Sequence, residues 1–115
     1  MARQVLMIDL VDDDEAIARY EAWHASGALP AAIGASIRAA DVAGMEIYRA
    51  GNRLVMVMET GPAFDPEAKA AADAADGAVQ EWESRMDGMQ RPLDARLGTA
   101  KWMRATRIFS LAEQP

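Results

Sequence analysis

Two β-type runs, Met45-Glu46-Ile47-Tyr48-Arg49 and Arg53-Leu54-Val55-Met56-Val57-Met58-Glu59, stand on either side of Ala50-Gly51-Asn52. Branched and long apolar side chains suit a pleated surface, and a Gly-Asn pair supplies the backbone freedom of a tight turn. The stretch is therefore expected to form a β-hairpin. Its second run is apolar on both faces at the centre, which suits a strand with neighbours on each side. A two-stranded hairpin is marginal alone, so the rest of the chain must supply a sheet and a cover for it.

The flanking segments offer both. Gln4 to Val11 is apolar and reads as a mostly buried first strand. Asp12-Asp13-Asp14 suit a helix start, where carboxylates meet unpaired N–H groups and the positive end of the helix dipole. Three clustered carboxylates also fit a metal site, but consecutive spacing at a helix start favours the cap. A helix over Asp13 to Ala25 carries Ile17, Tyr20 and His24 on one stripe, with Ala16 and Trp23 beside it and Gly27 ending it. Pro30 opens a second helix to Ala40, with Ile33 and Ile37 four residues apart. Beyond the hairpin, Asp65-Pro66-Glu67 starts a third helical region that is alanine-rich from Ala68 to Ala75. Gly77 is expected to break or bend it. The segment Ala78 to Met89 carries Val79, Trp82, Arg85 and Met86. Gln90 to Gly98 reads as a loop, and Lys101 to Leu111 as the last strand.

The order is β-α(α)-β-β-α-β, that of the ferredoxin-like fold. The expected class is α+β, with a four-stranded antiparallel sheet covered by helices on one face. A length of 115 residues suits one domain over residues 1–115. The strands carry few charges on either face. Monomers rarely expose large apolar patches, so a homodimer packed sheet against sheet is expected.

Charge and composition narrow the partners. A net charge of −6 argues against nucleic acid, which needs a basic patch, and against an anionic membrane surface. The chain has no cysteine, which removes disulfides, zinc–thiolate sites and thiol nucleophiles. No apolar run approaches the ~20 residues of a membrane span, and Asp9 interrupts the N-terminal run. The expected location is cytoplasmic.

Acid–base chemistry near neutral pH falls to His24, the one histidine of the chain. It follows Tyr20 by four residues, so on a helix the two side chains share a face. Two readings are open at this point: a proton-transfer pair, or a histidine that caps the helix end, where a cation is favoured.

Tyr20-x-x-x-His24, Pro30 with its short helix, Glu46-Ile47-Tyr48 leading into the hairpin, Val79-Gln80-Glu81-Trp82 before Arg85-Met86, and the closing Ile108-Phe109 occur in one order. This run resembles the L-rhamnose mutarotase family, including its L-fucose mutarotase-like members, over Val5 to Leu111. The resemblance implies a dimeric α+β barrel of ferredoxin-like subunits. It also implies interconversion of the α and β anomers of a 6-deoxy-L-sugar, with no metal and no organic cofactor. His24 matches the family's proton donor, Tyr20 its sugar-binding tyrosine and Trp82 its substrate-binding tryptophan. Two positions depart from the rhamnose-type pattern: Met45 stands where that pattern has a tyrosine, and Glu83 where it has a second tryptophan. Glu81-Trp82-Glu83 and Lys101-Trp102 resemble the fucose-type members instead.

Mutarotation opens and recloses a hemiacetal, and a positioned acid and base each speed it. An aromatic face packs on a sugar's C–H face, which suits Trp82, although a Trp on such a helix is often core. Met45 or Ile47 could meet the methyl group of a deoxy-sugar. Glu81 and Glu83 are possible second acid–base partners. Trp23 is expected in packing or a dimer contact, while Trp102 and Tyr48 are unassigned. Two rival functions remain: a non-catalytic sugar-binding module on the same fold, and a heme-type dimeric-barrel monooxygenase with His24 as ligand.

Overall fold

The hairpin is the centre of the sheet. In a computed structural model that describes residues 1–94, 96 and 102–115, Ala50 pairs with Arg53, so Gly51 and Asn52 alone make the turn. Gly51 takes φ +60°, a left-handed conformation that costs glycine nothing. Asn52 then ties the turn to the first strand. Its side-chain amide donates to the Leu10 carbonyl at 3.0 Å, and its own carbonyl accepts from the Leu10 N–H at 2.7 Å.

The elements are β1 (Ala2–Leu10), α1 (Asp14–Trp23), α2 (Ala31–Ala39), β2 (Val42–Ala50), β3 (Arg53–Thr60), α3 (Pro66–Ala75), α4 (Gly77–Asp87), β4 (Gln90–Arg91) and β5 (Met103–Ala105). The sheet order is β2-β3-β1-β4, with β5 also paired to β1, and every pairing is antiparallel. This is the ferredoxin-like order with its fourth place shared. β4 runs beside Asp9 and Leu10, and β5 beside Val5 to Met7. The apolar run of β3 lies between β1 and β2, as its two-faced apolarity requires.

Aspartates set the helix starts. The Asp13 carboxylate accepts from the Ala16 N–H at 2.9 Å, and Asp65 accepts from Glu67 and Ala68. The break between α3 and α4 falls one residue before Gly77. Extended Asp76 ends α3 and caps α4 through the N–H groups of Ala78 and Val79. α1 ends at Trp23, two residues earlier than its pattern suggests, with His24 at its C-cap.

The last strand differs most from expectation. Lys101 and Gly98 lie outside the described residues. The strand itself is only Met103–Ala105, leaving Ile108 95% and Phe109 64% exposed. Past Val5, β1 offers only Gln4, Arg3 and Ala2 as partners, so pairing would run out by Ile108. The tail turns away instead, into a short 3-10 turn at Leu111–Glu113 held by an Arg107–Glu113 ion pair. Gln90 and Arg91, read as loop, take up the upper half of the fourth place.

Strand alternation divides the sheet. Ile8, Leu10 and Leu54 point to the helices and pack with Tyr20, Met86 and Met89 in the buried core. Val5, Met7, Val55 and Val57 point the other way. Arg3–Glu59 and Asp9–Arg53 ion pairs flank them on that face. Ile8 has no exposed surface. Ile8→Ala should lower the unfolding free energy by about 2–5 kcal/mol, read from urea denaturation. A loss under about 1 kcal/mol would contradict the core described.

Candidate active site

The helices stand off the sheet far enough to leave a cavity of about 510 Å³, within the range of small-molecule sites. Most of its wall is apolar, with Met45, Ile47, Met56 and Met58 from the sheet facing Ile33 and Trp82 from the helices. A few polar groups interrupt that wall, and the first set is at the end of α1.

His24 is there because α1 stops. A further helical turn would spend the His24 backbone N–H on the Tyr20 carbonyl. That N–H goes to the Glu21 carbonyl at 3.1 Å instead. The freed Tyr20 carbonyl meets the His24 imidazole Nδ1 at 2.7 Å. A helix C-terminus leaves such carbonyls unsatisfied, and histidine is one of the side chains that can fill the place. A carbonyl can only accept, so Nδ1 carries the hydrogen in this contact. Nε2 is left to take or give a proton.

Two rings fix the imidazole plane. Tyr20 stacks on it with centroids 4.2 Å apart and 24° between planes, and Trp82 meets it edge-on at 5.4 Å. The guanidinium of Arg85 lies 5.5 Å from the Trp82 ring centroid and 5.2 Å from that of Trp23. Trp23 therefore acts in packing, behind the site.

Tyr20 is 3% exposed, and its hydroxyl accepts from the Gln90 side-chain amide at 3.3 Å. Burial lifts the phenol above its ordinary pKa of 10.0. The Gln90 hydrogen bond opposes the shift, and the nearby Glu83 charge adds to it. The phenol stays neutral at physiological pH, with an O–H to donate.

The three sequence-derived residues, His24, Tyr20 and Trp82, thus meet at one cavity. Met45, Ile47 and Trp102 also line it. Glu83 lines it too, while Glu81 is exposed on α4 and does not. Tyr48, 55% exposed, borders an adjoining hollow beside the Glu21–Arg49 ion pair. Four polar lining residues escaped the sequence reading: Gln90, Ser36, Lys69 and Asp73. Gln90 carries no local signal. The i,i+4 spacing of Lys69 and Asp73 in an otherwise alanine-rich helix was the available clue.

In a Tyr48→Phe background Tyr20 is the only tyrosine left. Its ultraviolet titration should have a midpoint above 10 in the folded protein and fall towards 10 in urea. Because folding raises this pKa, the stability linked to the neutral phenol is full below pH about 10 and fades as pH rises through the folded value. A folded midpoint at or below 10 would contradict the buried geometry.

Comparison with known proteins gives a consistent result. The L-rhamnose mutarotase family model matches residues 3–111. An L-fucose mutarotase from Xanthomonas campestris pv. campestris is 43% identical over 113 residues, covering 98% of this chain and 90% of that protein. Among solved structures, an L-rhamnose mutarotase from Formosa agariphila matches with a TM-score of 0.69 at 13% identity, over 96% of this chain and 99% of that one. At that identity the likeness is one of fold.

Proposed function

This chain belongs to the L-rhamnose mutarotase family, and we propose that it interconverts the α and β anomers of a 6-deoxy-L-hexose, with His24 moving the proton. L-fucose is the first substrate to test, since it is the sugar in the name of the relative at 43% identity, and L-rhamnose the second. The observation that carries the mechanism is the Nδ1 contact to the Tyr20 carbonyl at 2.7 Å, because it leaves Nε2 to act.

The reaction needs one proton delivered and one removed. As an imidazolium, His24 gives its Nε2 proton to the ring oxygen while the C1–O5 bond breaks. The neutral imidazole then takes the anomeric hydroxyl proton, leaving the open-chain aldehyde. Rotation about C1–C2 presents the other carbonyl face, and the same steps in reverse close the ring as the other anomer. His24 ends protonated as it began. The neutral Tyr20 hydroxyl supplies a donor for a sugar oxygen, and Trp82 a flat wall for its C–H face. Met45 and Ile47 offer the apolar contact that a C6 methyl group favours.

One sheet under one helical layer supports treating residues 1–115 as a single domain. The apolar outer sheet face of Val5, Met7, Val55 and Val57, with exposed Ile108 nearby in sequence to β5, supports a sheet-to-sheet homodimer. Among the described residues no helix is long and apolar enough to cross a membrane. A cytoplasmic site of action belongs to the same proposal.

Saturation-transfer NMR on L-fucose and L-rhamnose tests the activity. Wild-type protein should speed anomer exchange, and His24→Ala should lose about 10²–10⁴-fold of that enhancement while keeping its fold. Exchange no faster than buffer on both sugars would overturn the activity, and an unimpaired His24→Ala would overturn the role of His24. For assembly, Val57→Glu should convert a dimer to a monomer in sedimentation; a wild-type monomer would contradict the dimer.

A further inference from the structure

A second polar set, on α2 and α3, lines the cavity. Asp73 on α3 receives two side-chain hydrogen bonds, from the Ser36 hydroxyl of α2 at 3.1 Å and from the Lys69 ammonium at 2.7 Å. Its backbone carbonyl accepts from the Gln80 side chain of α4 at 2.9 Å. Ser36, Lys69 and Asp73 all line the same cavity as His24. Lys69 and Asp73 keep about a quarter of their side-chain surface open, at 23% and 24%.

We propose that Ser36, Lys69 and Asp73 form a specificity subsite that reads the C4 hydroxyl of the sugar. The inference rests on the mutarotase reading above and adds the substrate determinant to it. α4 walls the cavity and sets the direction. Its first turn, through Gln80, holds the Asp73 cluster, and its middle carries Trp82 against His24. Tyr20 and Gln90 meet beyond its C-terminal end. In a pyranose C4 lies opposite C1, so a sugar held with C1 at His24 and its ring running along α4 carries its C4 end towards the cluster.

The chemistry fits a hydroxyl, which both donates and accepts. The ammonium has three N–H groups and gives one to Asp73, while each carboxylate oxygen can accept beyond its present donor. Elsewhere the wall is largely apolar, and a buried polar group that loses its partner is costly. L-fucose and L-rhamnose differ in configuration at C2 and C4, so a reader of C4 separates the two sugars.

The test compares L-fucose with its C4 epimer, 6-deoxy-L-glucose, and with 4-deoxy-L-fucose. Both anomer exchange and binding, by tryptophan fluorescence, are measured on wild type and on Lys69→Met. Lys69→Met removes the ammonium and leaves the Ser36–Asp73 tie; Asp73→Asn is the second variant, and thermal melts verify that both fold. Wild type should favour L-fucose over its epimer by about ten- to a hundredfold, the range of one charge-assisted hydrogen bond. Lys69→Met should bring that ratio to within about twofold by weakening L-fucose alone, with 4-deoxy-L-fucose unaffected. An unchanged ratio in both folded variants, or a wild type blind to C4, overturns the subsite. A preference seen in binding and lost in Lys69→Met, without any exchange, would keep the subsite and overturn the mutarotase reading. Exchange without C4 discrimination would do the reverse, and a protein that binds none of the three sugars overturns the subsite, leaving the mutarotase reading to L-rhamnose.

Discussion

The Tyr20 carbonyl is the acceptor around which the site is organised. α1 ends one residue before that carbonyl would be taken by backbone, and the His24 imidazole fills the vacancy through Nδ1. One hydrogen bond therefore does two jobs. It closes a helix terminus, and it leaves Nε2 as the ring nitrogen outside that bond. Capping and catalysis are alternative explanations for a histidine at a helix end in many proteins; here the contact that caps the helix also fixes the imidazole through Nδ1. The Tyr20 and Trp82 rings then limit how far the imidazole can turn.

That arrangement needs a fixed floor, and the sheet provides it. β1 and β3 pair over eight residues, from Ala2–Thr60 to Asp9–Arg53, and Asn52 locks the hairpin turn to the end of β1. Ile8, Leu10 and Leu54 bury their side chains beneath Tyr20, which holds α1 at one height above the sheet. The cavity opens beside this packed cluster, where methionines line the sheet. Flexible thioethers tolerate irregular shapes, so a wall of Met45, Met56 and Met58 suits a small apolar group of variable position.

What could be read from the chain follows the range of the interaction. The hairpin, the Asp13 and Asp65 caps and the start of α3 depend on neighbours within a few residues, and each lies where the sequence indicates. The stripe of Ile17, Tyr20 and His24 likewise turned inwards together. The last strand depends on what β1 has left to offer over ninety residues away, and apolar Ile108 and Phe109 gave a strand pattern that pairing does not use. Gln90 is a hydrogen-bond partner of Tyr20 across 70 residues, which no local pattern encodes. The tyrosine's part was only half legible: its hydroxyl drew attention, whereas its backbone carbonyl holds the imidazole.

His24 is the only histidine in the chain, so its ring nitrogens can be observed without assignment. Long-range ¹H–¹⁵N NMR on uniformly labelled protein, carried from acid to alkaline pH, reads its tautomer once the ring is neutral. A protonated Nδ1 and a bare Nε2 are expected. A neutral ring protonated on Nε2 would contradict the Tyr20 contact, and with it the proposed role, since Nε2 could then not accept a proton.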